Sequence, residues 1–205
     1  MAQAVLSDTA VWRMLGAWAD LRGSMRTELN RVPSEGRLLF FVMFAGLFRF
    51  VGAAMVLAYA PLAMTMPDDE FRGRIAAAFV AIFIFLTLLY YALAATGGAL
   101  ARVMGGRGSW YDSRAALFWA ALVAAPALLA SKLLALVLAG LPGVIVGAVE
   151  MLGEVAFAWT TAHCFAEAHG FASAWRVLAV VAGLAAVLIG GAYVLGNLWP
   201  NPPYP

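Results

Sequence analysis

Charge is what this sequence has least of. Only 12% of its 205 residues are charged, and the balance is +2. Ordinary soluble domains carry about twice that share. No basic cluster with interleaved aromatics occurs beyond the N-terminal region, so nothing points to nucleic acid. Cysteine is nearly absent as well. Cys164 stands alone, which excludes an internal disulfide and a CxxC metal site, and it reads as a small core residue. There is no HExxH and no Gly-Lys-Ser/Thr phosphate loop. Ser113, Ser131 and Ser173 have no base placed near them in sequence, so no nucleophilic triad can be assembled. No catalytic set, cofactor or metal is therefore expected. A basic patch leading at once into an apolar stretch and a cleavage site is also missing. The first long apolar run, from Leu38, is accordingly read as a permanent span.

Apolar side chains are what the sequence has in excess. They make up 64% of the chain, and the mean hydropathy is +0.89. Such a chain cannot cover its own core with polar surface, and lipid is the solvent that removes the need. The expected fold is all-α, a polytopic transmembrane helix bundle of about five spans with an N-terminal amphipathic helix. The spans are placed at 38–63, 75–96, 114–139, 144–166 and 174–198, each long enough to cross about 30 Å of hydrocarbon. Pro61, Pro67 and Asp68-Asp69-Glu70 stop the first. Gly97-Gly98 and then Gly105-Gly106-Arg107-Gly108 break the second. Asp112 or Ser113 can cap the third, Gly140-Leu141-Pro142-Gly143 turns it back, His169-Gly170 closes the fourth, and Ser173 can cap the fifth. The third and fourth spans carry ionisable groups, and a hairpin that does not fully cross stays open for them.

Residues 1–37 form a segment of mixed polarity, and 199–205 a Pro-rich tail. In the first of these Val11, Met14, Leu15, Trp18, Leu21 and Met25 recur at helical spacing and make one stripe. The helix ends before Pro33. It either lies on the membrane with Trp12 and Trp18 at the headgroup level or packs on the ends of the spans. Most of the arginines lie in this segment, in the second-to-third loop (Arg102, Arg107, Arg114) or at Arg176. With five spans these share one side, and the positive-inside rule puts the N-terminus in the cytoplasm and the C-terminus outside.

Inside the spans stand Arg49, Lys132, Glu150, Glu154 and His163. An ionised group at the bilayer centre costs about 2.5–3.5 kcal/mol, so such residues face the bundle interior and pair. Lys132 and Glu150 lie equally far from Leu141, the middle of a turn, and so share a depth in an antiparallel hairpin. Arg49 lies roughly 16 Å into its span at 1.5 Å per residue, as does Glu154 counted from the other end. A buried, self-neutralising cluster of Arg49, Lys132, Glu150 and Glu154 is expected. It either specifies which helices meet or lines an ion pathway. His163, Glu167 and His169 are expected to form a polar interfacial group rather than a metal site. Arg102, Arg107 and Arg114 are expected to meet lipid phosphate around the Gly-rich turn. Gly147, Gly183, Gly190 and Gly191 are expected to let helices pack closely.

Two stretches carry a family resemblance. VMGGRGSWYDSRAALFWAALVAAP, from Val103 to Pro126, and EVAFAWTTAHCFAEAHGFASAWRVL, from Glu154 to Leu178, resemble the Yip (Ypt/Rab-interacting) family, in particular its bacterial branch. In that family a Gly-rich turn precedes a third span that carries a proline. A His-Gly-like turn then ends the fourth, and a Ser and a basic residue open the next. The resemblance implies five spans and a cytoplasmic N-terminus. Eukaryotic relatives bind prenylated Rab GTPases and act in vesicle traffic and membrane shaping. Their Asp-Leu-Tyr-Gly-Pro-like motif is absent here, which counts against Rab binding. The Ala-rich, Arg-over-Lys composition resembles that of a high-GC bacterium. The expected role is a non-enzymatic membrane organiser or accessory subunit in a bacterial inner membrane. Its partners would be the bilayer, with a membrane-protein partner or a second copy left open. The alternative is a small transporter or channel using Arg49, Glu150 and Glu154.

Overall fold

The computed structural model describes residues 9–59 and 66–198. Residues 60–63 of the expected first span, with Pro61, lie outside them, as does the 199–205 tail. Every regular element among the described residues is helical. In chain order these are α1 (Ala10–Gly16) and, after a tight turn over Ala17–Ala19, α2 (Leu21–Asn30). There follow α3 (Glu35–Tyr59), α4 (Asp68–Val103), α5 (Trp110–Val137), α6 (Gly143–His169) and α7 (Ala174–Leu198).

Helices α3, α4, α5 and α6 are long and apolar enough to cross a membrane. Helix α4 has 36 residues, about 54 Å at 1.5 Å per residue, and so extends well beyond a hydrocarbon layer of about 30 Å. Asp68, Asp69 and Glu70 open it, where carboxylates complement the helix dipole. The expected break at Gly97-Gly98 does not occur. Helix α4 runs through both residues, because close packing rather than backbone freedom is what they provide. A Cβ on Gly98 would stand 2.4 Å from Ser113 Oγ, and one on Gly97 3.1 Å from the Phe165 ring. The helix ends instead at Gly105, where φ is +87°.

Helix α5 is the central element. It packs most extensively on α6, then on α3, with α4 and α2 along its flanks. Residues Ala115–Ala125 are all buried, with Phe118 and Trp119 among the largest. The helix is capped three residues earlier than expected. Ser109 Oγ accepts the Asp112 N–H at 3.1 Å, while Asp112 Oδ2 accepts the Ser109 N–H at 2.7 Å, a reciprocal capping box. Ser113 is thereby left to point inward. Gly170, with φ +72°, closes α6, and Ser173 Oγ accepts the Trp175 N–H at the start of α7.

The glycines that bring helices together are not those expected from their place in apolar runs. Gly147, Gly183, Gly190 and Gly191 face open space. Gly153 is the close one on α6. A Cβ there would lie 2.3 Å from Ser131 Oγ and 2.9 Å from Leu128 Cα on α5. The reason is that the α5–α6 seam follows Leu128, Ser131 and Ala135, and only Gly153 lies opposite it.

Candidate functional site

Two groups of polar residues occupy the bundle at different depths. The deeper one lines a cavity of about 430 Å³ walled by α3, α4, α5 and α6. Helix periodicity places Arg49 and Gly52 on one face of α3, and Glu150 and Glu154 on one face of α6. Lys132 Nζ stands 3.0 Å from Glu150 Oε1, and Arg49 Nη1 stands 3.5 Å from Glu154 Oε1. Arg49 also lies over the Phe157 ring, 5.8 Å from its centroid. All four groups anticipated at this depth come together, as two ion pairs. They are not sealed in a dry core. Lys132, Glu150 and Glu154 keep 40–45% of their side-chain surface exposed. The cavity separates them from full packing, and Phe48, Val56, Leu57, Ile82 and Leu86 make its apolar walls. Ile82 and Leu86 sit in a π-type turn of α4 over Ala81–Leu86, a departure from regular helix often found at functional sites.

The second group holds the N-terminal segment to the bundle. The expected single amphipathic helix is broken at Asp20, whose Oδ1 accepts the Gly23 N–H at 2.9 Å and starts α2 afresh. The stripe divides accordingly. Met14, Leu21 and Met25 are buried, with Ala17 beside them. Val11, Trp12, Leu15 and Trp18 face outward. The segment packs along α5 and α6. Glu28, 2% exposed, pairs with Arg13 and lies 3.9 Å from Arg37 Nη2. Burial pulls the Arg13 guanidinium below its ordinary value while the Glu28 carboxylate pulls it back up. Glu167 on α6 accepts from Arg22 Nε at 3.0 Å and from Arg26 Nε at 2.7 Å. Trp119 Nε1 donates to Ser24 Oγ at 3.1 Å. Trp18 Nε1 donates to the Val123 carbonyl at 3.2 Å, in the stretch of α5 that Pro126 loosens.

His163, Glu167 and His169 do not form one group. His163 packs against Trp159 with the rings tilted by 48° and their centroids 4.5 Å apart. Glu167 serves the arginines of α2. His169 is buried between the Phe165 and Phe171 rings, with its Nε2 3.0 Å from Ser113 Oγ. The arginines of the Gly-rich turn divide too. Arg102 lies over the Trp110 ring at 3.7 Å and Arg114 pairs with Glu35, so both are turned toward protein, while Arg107 is exposed. Gly106 and Gly108 press against His169, where a Cβ would come within 3.0 Å and 2.7 Å of it. The Gly-rich turn thus serves to seat His169.

The sequence profile of the Yip1 domain matches residues 23–195. The chain belongs to the Yip1 domain family. The cavity group falls within the Yip1 domain, while the N-terminal group straddles its edge, with Arg13, Trp18, Asp20 and Arg22 before it. The match begins in α2, three residues after the Asp20 break, so the docked helix is part of the domain and α1 precedes it. No curated protein and no solved structure matches the chain significantly.

The network around Glu28 is the part of the site that sequence reading missed. Arg13 is 15 residues from Glu28, too far for helical pairing, and only the turn at Asp20 brings them together. An Asp followed three residues later by a small residue and then a renewed apolar period was the available signal.

Proposed function

We propose that this Yip1-domain protein is a non-enzymatic membrane organiser or accessory subunit, acting on lipid or on another membrane protein. The observation that carries this is the outward row Val11, Trp12, Leu15 and Trp18, on a segment that Glu28 and Arg13 hold folded on itself and that Arg22 and Arg26 clamp to Glu167 of the bundle. Trp12, 57% exposed beside Arg13, suits the headgroup layer, where an amphipathic ring has one apolar and one wet side. An apolar row held outward on the bundle inserts at the headgroup boundary of one leaflet and spreads its lipids. We place the chain in a bacterial inner membrane, with five spans, the clamped segment in the cytoplasm and the C-terminus outside. The distribution of arginine over the loops supports that orientation.

The test is reconstitution of the full chain into liposomes with Trp12→Glu/Leu15→Glu as comparison. Wild type is expected to remodel vesicles at a protein density where the variant leaves them round. Equal remodelling by both would refute the role of the row.

The cavity favours a second reading, in which a small polar solute crosses the bilayer past Arg49, Glu150 and Glu154. Solute or ion flux into the same liposomes, abolished by Glu154→Gln in a folded protein, would support it.

A further inference from the structure

The four ionised groups of the cavity sum to zero, but neither cation is saturated. Arg49 meets Glu154 at 3.5 Å through Nη1 and shares a hydrogen bond with the buried Tyr90, while its Nε has no hydrogen-bond partner. Lys132 has three N–H donors and spends one on Glu150 at 3.0 Å. Glu150 and Glu154 each hold lone pairs beyond those their cations use, on side chains 40% and 45% exposed. The volume, about 430 Å³, is that of a small-molecule site, and the walls are apolar.

Neutrality decides what such a site accepts. In a low dielectric a lone anion or cation leaves one charge of the cavity uncompensated, and that is costly. A molecule that carries both signs leaves none. We propose that this cavity binds a zwitterion with an oxyanion and a primary ammonium. The oxyanion takes the spare donors of Arg49 and Lys132, and the ammonium lies between Glu150 and Glu154, which are one helical turn apart. A primary ammonium is required because it donates N–H bonds to carboxylates, which a quaternary ammonium cannot do. Two sources present this chemistry: an aminophospholipid headgroup with its chains along Phe48, Val56 and Leu57, or a free amino acid. The proposal uses the cavity of the second reading above but does not require passage through it.

The experiment places the full chain in mixed vesicles of phosphatidylethanolamine, phosphatidylcholine and phosphatidylglycerol. After extraction in mild detergent, retained lipid is counted by native mass spectrometry, and thermal stability is read with and without glycine. Wild type is expected to retain phosphatidylethanolamine over each of the other two by about tenfold. Arg49→Gln/Glu154→Gln, which deletes one pair and keeps neutrality, is expected to lose that preference. Val56→Phe enlarges an apolar wall of the cavity and leaves every ionised group in place, and is expected to lose it too should the double variant fold poorly. Arg72→Gln/Asp68→Asn, an exposed pair outside the cavity, is expected to keep it. Stabilisation by glycine without lipid preference also supports the zwitterion and assigns it to the free solute. Equal retention of phosphatidylcholine with no stabilisation by glycine, preference for phosphatidylglycerol, or a preference that survives both cavity variants would overturn it. Binding without flux would remove the passage reading and leave this one standing.

Discussion

Gly153 and Gly147 lie six residues apart on α6, and the packing treats them oppositely. Gly153→Ala drives a methyl into Ser131 Oγ and the α5 backbone, an overpacking that costs about 1–3 kcal/mol. Gly147→Ala meets nothing and is expected to be neutral or to stabilise by about 0.5–1 kcal/mol, the helix preference of Ala. Thermal unfolding in detergent checks both, and equal melting temperatures would contradict the seam described here. Glu28 makes a second contrast. Glu28→Gln removes the buried carboxylate between Arg13 and Arg37, and breaking such a pair costs on the order of 3–5 kcal/mol. The expected outcome is release of the N-terminal segment, read as faster tryptic cleavage after Arg13, Arg22 and Arg26. At this scale the sequence was legible where a turn set the register. Lys132 and Glu150 pair because both stand nine residues from Leu141. It was opaque where contact depends on which side of a helix faces a neighbour. Spacing cannot tell Gly147 from Gly153, since nothing in the sequence says which of the two faces α5.

The elements follow from start and stop chemistry more than from hydropathy. Helix α5 begins at a capping box that shares out two orphan backbone donors, and Ser109→Ala is expected to destabilise by about 1 kcal/mol while Ser109→Asp stays close to wild type. A guanidine titration of the reconstituted chain, followed by helical circular dichroism, would separate them. Equal loss in both variants would mean the serine matters for something other than its acceptor. The N-terminal stripe shows why periodicity alone misleads. Its spacing is compatible with one helix, yet Asp20 restarts the backbone and turns half of the stripe outward. Helix α4 shows the converse. Two adjacent glycines read as a break, but the phenylalanine and serine of neighbouring helices need the room they leave.

At the scale of the whole molecule two layers separate. Clamps among Arg13, Glu28, Arg22, Arg26 and Glu167 gather at the end of the bundle that carries the Gly-rich turn. Arg49 lies 14 residues further along α3 from Glu35, about 21 Å deeper at 1.5 Å per residue, among apolar walls. The helical class and the depth of the ionised residues were legible in the sequence because oily runs of this length have one solvent. Packing of residues 10–30 on the spans was one of two readings, and its register was not legible, because it rests on hydrogen bonds of Trp18 and Trp119 across α5 and of Arg22 to Glu167, Phe171 and Ala172. The docked segment is proposed to lie at the lipid surface with Val11, Trp12 and Leu15 outward. The direct measurement is spin-label depth in lipid vesicles, with Leu15→Cys and Met25→Cys labels in a Cys164→Ser background. The account predicts a Leu15 label at the headgroup boundary, open to oxygen in the lipid, with the buried Met25 position shielded from both phases. A Leu15 label that relaxes only with a water-soluble nickel reagent, as if in bulk solvent, would contradict it.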